Sequence, residues 1–363
     1  MRPEAPGRDR GPRSCRRACP DNVSDPPGGP RPADRHRLGT VASVATLAAI
    51  VPFAVIAFDF DPLLHFGDRA LRLETLALAG VVLLAIVVAA VLAGRTPPEP
   101  GFDPATPPDL DADADADADA DAGRHLRRDD LLFIVLGIVP GAVLGGRLGY
   151  VLLHWDYYSV HTDAIADPAQ GNLELSLAVL GGAMTGAYVA RLLASSAGRW
   201  LHVATVPVLL GLGLGKLAMA AGGSGQGAPA TVAWATSYLG PGPWGSLAPS
   251  VPAHPAQVYE AVVTGVVLLL MVLLLAGGAF RRRDGRAFLI ALLLWSAGRL
   301  VVATYWRDPL LIGPLRAGQV LALGIIGISA ALFALRSLQL ARSSSAGALA
   351  EPQWADPATR PPF

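Results

Sequence analysis

The stretch from Val251 to Ala261 reads V-P-A-H-P-A-Q-V-Y-E-A and runs directly into a long apolar segment, Val262 to Phe280. Pro255 fits the first turn of a helix, where its missing N–H costs nothing. Gln257 and Glu260 then lie three apart on one helical face, with Tyr259 beside them. Four groups able to bond, bind or titrate, His254 included, thus stand where a helix enters an apolar layer. Polar groups at membrane depth are costly and are kept for a partner or a task. The rest of the chain reads as the scaffold that presents them.

Composition supports a membrane setting. Of 363 residues only 16% are charged, against about a quarter in soluble domains, and mean hydropathy is +0.43. Net charge is zero, so nothing in the overall balance calls for nucleic acid. The two cysteines, Cys15 and Cys19, lie in a polar N-terminal tail, which indicates neither a disulfide framework nor a thiolate metal site. No metal or cofactor is expected.

Working outward, the apolar runs predict an all-α polytopic protein of about eight spans: Leu38–Phe58, Thr75–Gly94, Leu131–Leu153, Leu173–Leu193, His202–Ala221, Val258–Gly278, Ala287–Tyr305 and Ala317–Leu335. The first is long for a signal-peptide core and lacks a small-x-small cleavage site, so it reads as an uncleaved helix. Alternate loops hold Arg124, Arg127 and Arg128, then Arg191 and Arg199, then Arg281 to Arg283 with Arg286, then Arg336 and Arg342. The Arg-rich N-terminal tail falls on the same side, so both termini are expected to be cytoplasmic. Residues 1–37 and 337–363 read as disordered tails, and 38–58 as an added helix before a membrane domain over 59–336. A solvated insert over 96–123 carries the Asp-Ala repeat Asp111 to Ala122, which lacks the spacing of a calcium loop. The long loop Gly222 to Ala253 carries Trp234, Tyr238 and Trp244, suited either to interfacial anchoring or to shaping an entrance.

Several charges fall inside the spans. In G-A-V-L-G-G-R-L-G-Y, Gly141, Gly145 and Gly149 form a small-residue face for close helix contact, and Arg147 lies among them. Burying that arginine costs at least about 2.5–3.5 kcal/mol, so it needs a carboxylate such as Glu260 or an anionic headgroup. Arg299 is nearly mid-span, and Lys216, the single lysine, lies inside a glycine-rich span after Gly211, Gly213 and Gly215. Together they predict an anion within the bundle, and a phospholipid phosphate matches the guanidinium fork.

Phe60-Asp61-Pro62, G-G-R-L-G-Y at Gly145 to Tyr150, Gly181-Gly182, G-L-G-K at Gly213 to Lys216, H-P-A-Q-V-Y-E at His254 to Glu260, and G-R-L-V-V-A-T-Y-W-R-D-P at Gly298 to Pro309 occur in one order. This set resembles the prolipoprotein diacylglyceryl transferase family. The resemblance implies a seven-helix core, preceded here by the added helix, in a bacterial cytoplasmic membrane. It also implies transfer of diacylglycerol from phosphatidylglycerol to the thiol of a lipobox cysteine in prolipoprotein signal peptides, with release of glycerol phosphate. Its site residues fall here on Arg147, His254 and Arg299 as catalytic groups. Gly146, Tyr150, Gly181, Gly182, Lys216, Gln257, Tyr259 and Glu260 fall as substrate-binding groups.

The sequence departs from the family pattern at several positions. The His before the glycine pair is Leu180, and the Arg and Asn of a glycine-arginine-x-glycine-asparagine signature fall on Gly213 and Lys216. The acidic residue four after Arg299 is Ala303, and the Arg before His-Pro is Ala253. His254 is then the best remaining base, its ordinary pKa lying nearest neutrality, with Tyr259 or Glu260 to orient it. Two functions stay open at this level: transfer, or a relative that binds phospholipid or lipoprotein without transfer. A solute transporter would show an internal repeat, and none is evident.

Overall fold

A computed structural model describes residues 55–97, 126–167 and 173–350. Among the described residues seven helices are long and apolar enough to cross a membrane. They are α1 (Leu73–Arg95), α2 (Arg128–Leu153), α4 (Leu175–Leu192), α5 (Ala197–Ala221), α6 (Ala256–Ala276), α7 (Arg286–Val302) and α8 (Ala317–Ala350), with a one-turn α3 at Trp155–Tyr158. Their outer faces keep apolar side chains in the open: Leu83, Leu132, Leu144 and Val262 are each at least 60% exposed. Water would make that surface expensive, and lipid does not.

The helices pair by shape. A Cβ on Gly145 would overlap the carbonyl of Leu177, and one on Gly181 would overlap the carbonyl of Gly141. Only glycine lets α2 and α4 cross backbone to backbone there, as the Gly141–Gly145–Gly149 face predicts. One core lies between α5, α6, α7 and α8 around Leu209, Met271, Trp295 and Ile325. Another joins α1, α2, α4 and α5 through Ala93, Ile134, Ala190 and Trp200. Between these last four helices lies an apolar cavity of about 480 Å³, lined among others by Ala85, Ile138, Val179, Gly182 and Val208.

The structure corrects the sequence reading in four places. Most of the expected first span lies outside the described residues, but its end, Ile56–Phe58, is a strand, β1, not helix. It pairs in parallel with β4 (Thr236–Tyr238), because Phe58 finds the Tyr238 ring to stack on at 5.1 Å. The connectors are also less irregular than an all-α reading implies. β2 (Leu63–Phe66) pairs with β3 (Arg69–Arg72), and β5 (Leu310–Ile312) pairs with β6 (Leu315–Arg316). The fourth predicted span begins later, at Leu175, where Glu174 caps it. The last helix runs on to Ala350, past Leu335, through a stretch free of proline. The tail 1–37 and most of the acidic insert lie outside the described residues.

One end of the bundle collects the long connectors. Leu239 N–H donates to the carbonyl of Phe58, Gly227 N–H to that of His254 (2.8 Å), and Arg307 Nε to that of Gly227 (2.7 Å). Tyr238 is only 2% exposed and Trp244 leans on it at 4.9 Å, so these two aromatics pack the 222–253 loop. The Arg-rich connectors lie at the other end, where Arg199 donates to the carbonyl of Pro97 (2.7 Å).

Candidate active site

At the first turn of α6, Gln257 and Glu260 point inward, 0% and 2% exposed. Gln257 Nε2 reaches Tyr238 Oη (3.4 Å), whose hydroxyl donates to the carbonyl of Ala220 (2.8 Å). Glu260 receives two cations. Lys216 Nζ of α5 lies 3.1 Å from Oε2, and Arg299 of α7 hydrogen-bonds Oε1. Trp306 covers Lys216 Nζ at 4.6 Å, and Trp295 lies 5.2 Å from the Arg299 guanidinium. The cations thus meet an aromatic face on one side and a carboxylate on the other, as burial requires.

A second carboxylate completes the cluster, one that sequence reasoning missed. Glu174 caps α4 with both oxygens, accepting from Ser176 N–H (2.8 Å) and Leu177 N–H (2.7 Å), and its Oε1 lies 3.7 Å from Arg299 NH2. The sequence signal was an acidic residue at the head of an apolar run, which reads equally well as a span boundary. Asp308 stands near as well. Burial pushes its carboxyl above the usual range, against the pull of Arg299 and a hydrogen bond from Gly318 N–H. Asp308 and Ala303 both border Gly318, so a carboxylate lies close to where the family pattern has its acidic residue.

The other predicted residues divide into three groups. His254 Nδ1 lies 3.1 Å from Tyr259 Oη, which accepts from Trp234 Nε1 (2.6 Å), and the Tyr305 ring packs against both His254 and Tyr259. Tyr259 therefore orients His254; Glu260 does not, being held by the cations. Arg147 does not meet Glu260 either. It donates to the carbonyls of Ile165 (2.8 Å) and Ala164 (2.5 Å) in the 3-10 turn Thr162–Ile165, and Tyr158 lies 5.3 Å away. The turn aims its free carbonyls at the guanidinium, which removes the need for a carboxylate. Tyr150 stacks on His154 (4.1 Å).

Gly146, Gly181 and Gly182 serve packing. Gly146 accepts from Glu174 N–H (2.8 Å), a Cβ there would lie 3.0 Å from Leu173, Gly181 forms the helix crossing, and Gly182 faces Ile138. Lys216 neutralises Glu260 and does not stand free for an external anion.

Seven membrane-crossing helices around a buried cluster of two cations and two carboxylates, with an apolar cavity beside it, define a polytopic membrane protein whose polar interior is reserved for chemistry or binding. The prolipoprotein diacylglyceryl transferase family model matches residues 115–335. The chain is 30% identical over 223 residues to the phosphatidylglycerol–prolipoprotein diacylglyceryl transferase of Acaryochloris marina, covering 61% of this chain and 80% of that one. It is 31% identical over 225 residues to the enzyme of the same name from Geobacter sulfurreducens (59% and 82%) and 29% over 220 residues to that from Bacillus mycoides (56% and 75%). The chain belongs to the prolipoprotein diacylglyceryl transferase family.

Proposed function

We propose that this protein transfers the diacylglyceryl group of phosphatidylglycerol to the lipobox cysteine thiol of prolipoproteins. The observation that carries the proposal is the family match across 115–335, a range that includes the Lys216–Glu260–Arg299 cluster. In the reaction the sulfur forms a bond to the glyceryl carbon, and the carbon–oxygen bond to phosphate breaks. The electron pair stays on the phosphate oxygen, so glycerol phosphate leaves.

Two demands follow. The thiol, with an ordinary pKa of about 8.5, must give up its proton, and the leaving phosphate needs fixed positive charge. His254 is the candidate base. In the tautomer whose Nδ1–H donates to Tyr259, Nε2 carries the lone pair, and Trp234 holds the tyrosine oxygen in place. Arg299 is the candidate clamp for phosphate, and Arg147 braces the 154–167 connector. The apolar cavity, whose lining includes Leu175 and Ala178 just beyond Glu174, has the chemistry to take an acyl chain.

The positive-inside pattern supports placing the Arg-rich connectors in the cytoplasm and the site towards the outer leaflet of a bacterial cytoplasmic membrane. An added span ending before β1 would then put both termini inside.

The test is transfer by the purified protein. Mixed with phosphatidylglycerol and a lipobox peptide, it is expected to yield the diacylglyceryl adduct by mass, and Arg299→Ala is expected to abolish it. Absence of adduct from the wild type, with phosphatidylglycerol still bound in native mass spectra, would reject transfer in favour of lipid binding alone.

A further inference from the structure

We propose that Glu174 is a positioning and selectivity residue: its carboxylate lets the free edge of Arg299 hold a singly charged phosphodiester and disfavours a doubly charged phosphomonoester. The proposal rests on the transfer reading for its biological meaning but not for its test.

Arg299 spends one end of its fork on Glu260, through NH1. Its Nε is buried without a hydrogen-bond partner, and NH2 stands 3.7 Å from Glu174 Oε1, too far for a hydrogen bond. The Nε–NH2 edge therefore has no hydrogen-bonded partner, and that is the edge a phosphate grips with two oxygens. Glu174 does not close it: the cap bonds from Ser176 and Leu177 N–H hold its carboxylate with Oε1 3.7 Å from NH2.

Nor can Glu174 withdraw. Its own N–H is bonded to the Gly146 carbonyl on α2, and there is no slack around Gly146 between Leu173 and Ala178. The carboxylate is a fixed negative charge beside the open edge, 8% exposed.

Charge then decides which anion stays. The groups around the guanidinium are Glu174 on α4, Lys216 on α5, Glu260 on α6 and, farther off, Asp308 after α7. Lys216, Arg299, Glu174 and Glu260 sum to zero. A phosphodiester brings one negative charge. The leaving glycerol phosphate is a monoester with a second ionisation near pH 6 and carries almost two at neutral pH. The extra charge has no matching cation and meets Glu174. Two like charges about 6 Å apart at an effective dielectric of about 20 repel strongly enough to weaken binding by tenfold or more. Substrate is retained and product is expelled by one fixed carboxylate.

The experiment measures binding of sn-glycerol 1-phosphate and of phosphatidylglycerol to the full chain in detergent by titration calorimetry, and transfer in parallel. Glu174→Gln keeps an oxygen for the helix cap but loses the charge. It is expected to bind glycerol phosphate about tenfold more tightly with a smaller change for phosphatidylglycerol, while Glu174→Asp matches the wild type. The wild type alone supplies a second measurement. Its affinity for glycerol phosphate is expected to rise as pH falls from 8 to 5 and the ligand becomes a monoanion. Asp308 near the same guanidinium, its carboxyl raised by burial, titrates in the same direction, so the trend is read in Asp308→Asn as well and must persist there. Equal glycerol phosphate affinity in Glu174→Gln and wild type, or tighter wild-type binding at pH 8, overturns the proposal. Loss of transfer with these binding changes intact would reject the transferase reading and leave the selectivity standing.

Discussion

Removing the charge of Glu260 should be the most damaging conservative change in the protein, and removing Lys216 as well should undo part of the damage. Glu260 Oε2 lies 3.1 Å from Lys216 Nζ, with side chains 2% and 9% exposed, and Oε1 bonds Arg299. At that distance a unit pair at an effective dielectric of about 20 attracts by about 5 kcal/mol. Breaking a buried pair by deleting one partner costs about 3–5 kcal/mol. Glu260→Gln keeps the shape and leaves two cations facing only Glu174. At about 2–4 °C per kcal/mol the variant should melt roughly 10 °C lower in detergent. The double variant Lys216→Met with Glu260→Gln restores neutrality, with Arg299 against Glu174. It should recover at least about 1.5 kcal/mol relative to Glu260→Gln alone, a coupling typical of groups in direct contact. Thermal unfolding of wild type, both single variants and the double variant closes the cycle. A Glu260→Gln melting point equal to wild type, or a double variant no better than Glu260→Gln, would refute a shared carboxylate.

Arg147→Ala should free the 154–167 connector by removing the donors to Ala164 and Ile165; limited proteolysis is expected to cut there first, with about 1–3 kcal/mol lost from hydrogen bonds to a charged group. Trp234→Phe deletes the N–H that holds Tyr259, together with part of an exposed ring, and is expected to slow transfer several-fold with unchanged phosphatidylglycerol binding, read as kcat against KM. Asp308→Asn tests the raised carboxyl. Folded Asp308 holds its proton above the ordinary carboxylate value while the unfolded chain ionises, so its charge costs stability as pH rises from about 4 towards its folded value. The Asn variant should therefore match wild type near pH 3.5 and be more stable at pH 7, measured by melting at both.

The seven helices were legible because length and apolarity suffice to mark a span: Thr75–Gly94 was expected and Leu73–Arg95 is found. The inward face of Gln257 and Glu260 was legible from their spacing, and the α2–α4 crossing from glycines four apart. What escaped depends on partners distant in sequence or without side-chain identity. Arg147 rests on two carbonyls, and a carbonyl leaves no trace in the residue type that carries it. Ile56–Phe58 looked like the end of an apolar helix because its strand partner, Thr236–Tyr238, lies far along the chain. Glu174 was invisible because capping and charge pairing use the same carboxylate, and only the cap has a local pattern.

The departures from the family pattern bear on what Lys216 does, and here geometry and charge lead to a definite expectation. At Gly213 the family's arginine is absent, and the space beside it is bordered by Thr264 of α6. One turn on, Lys216 brings a positive charge to Glu260, but its ammonium is spent on that carboxylate and on the face of Trp306. It therefore acts on a phosphate only through Glu260. Lys216 takes up part of the Glu260 charge, so Arg299 is less fully neutralised by Glu260 and keeps attraction to spare at its unpaired edge. Lys216→Met returns Glu260 wholly to Arg299 and should raise KM for phosphatidylglycerol about tenfold, the equivalent of about 1.4 kcal/mol, with kcat little changed. Arg299→Lys, which keeps the charge but loses the fork, should instead lower kcat. A fall in kcat for Lys216→Met at constant KM would mean that Lys216 touches the reacting phosphate itself, and the assignment of Arg299 as the sole cation of the cluster that grips it would be wrong.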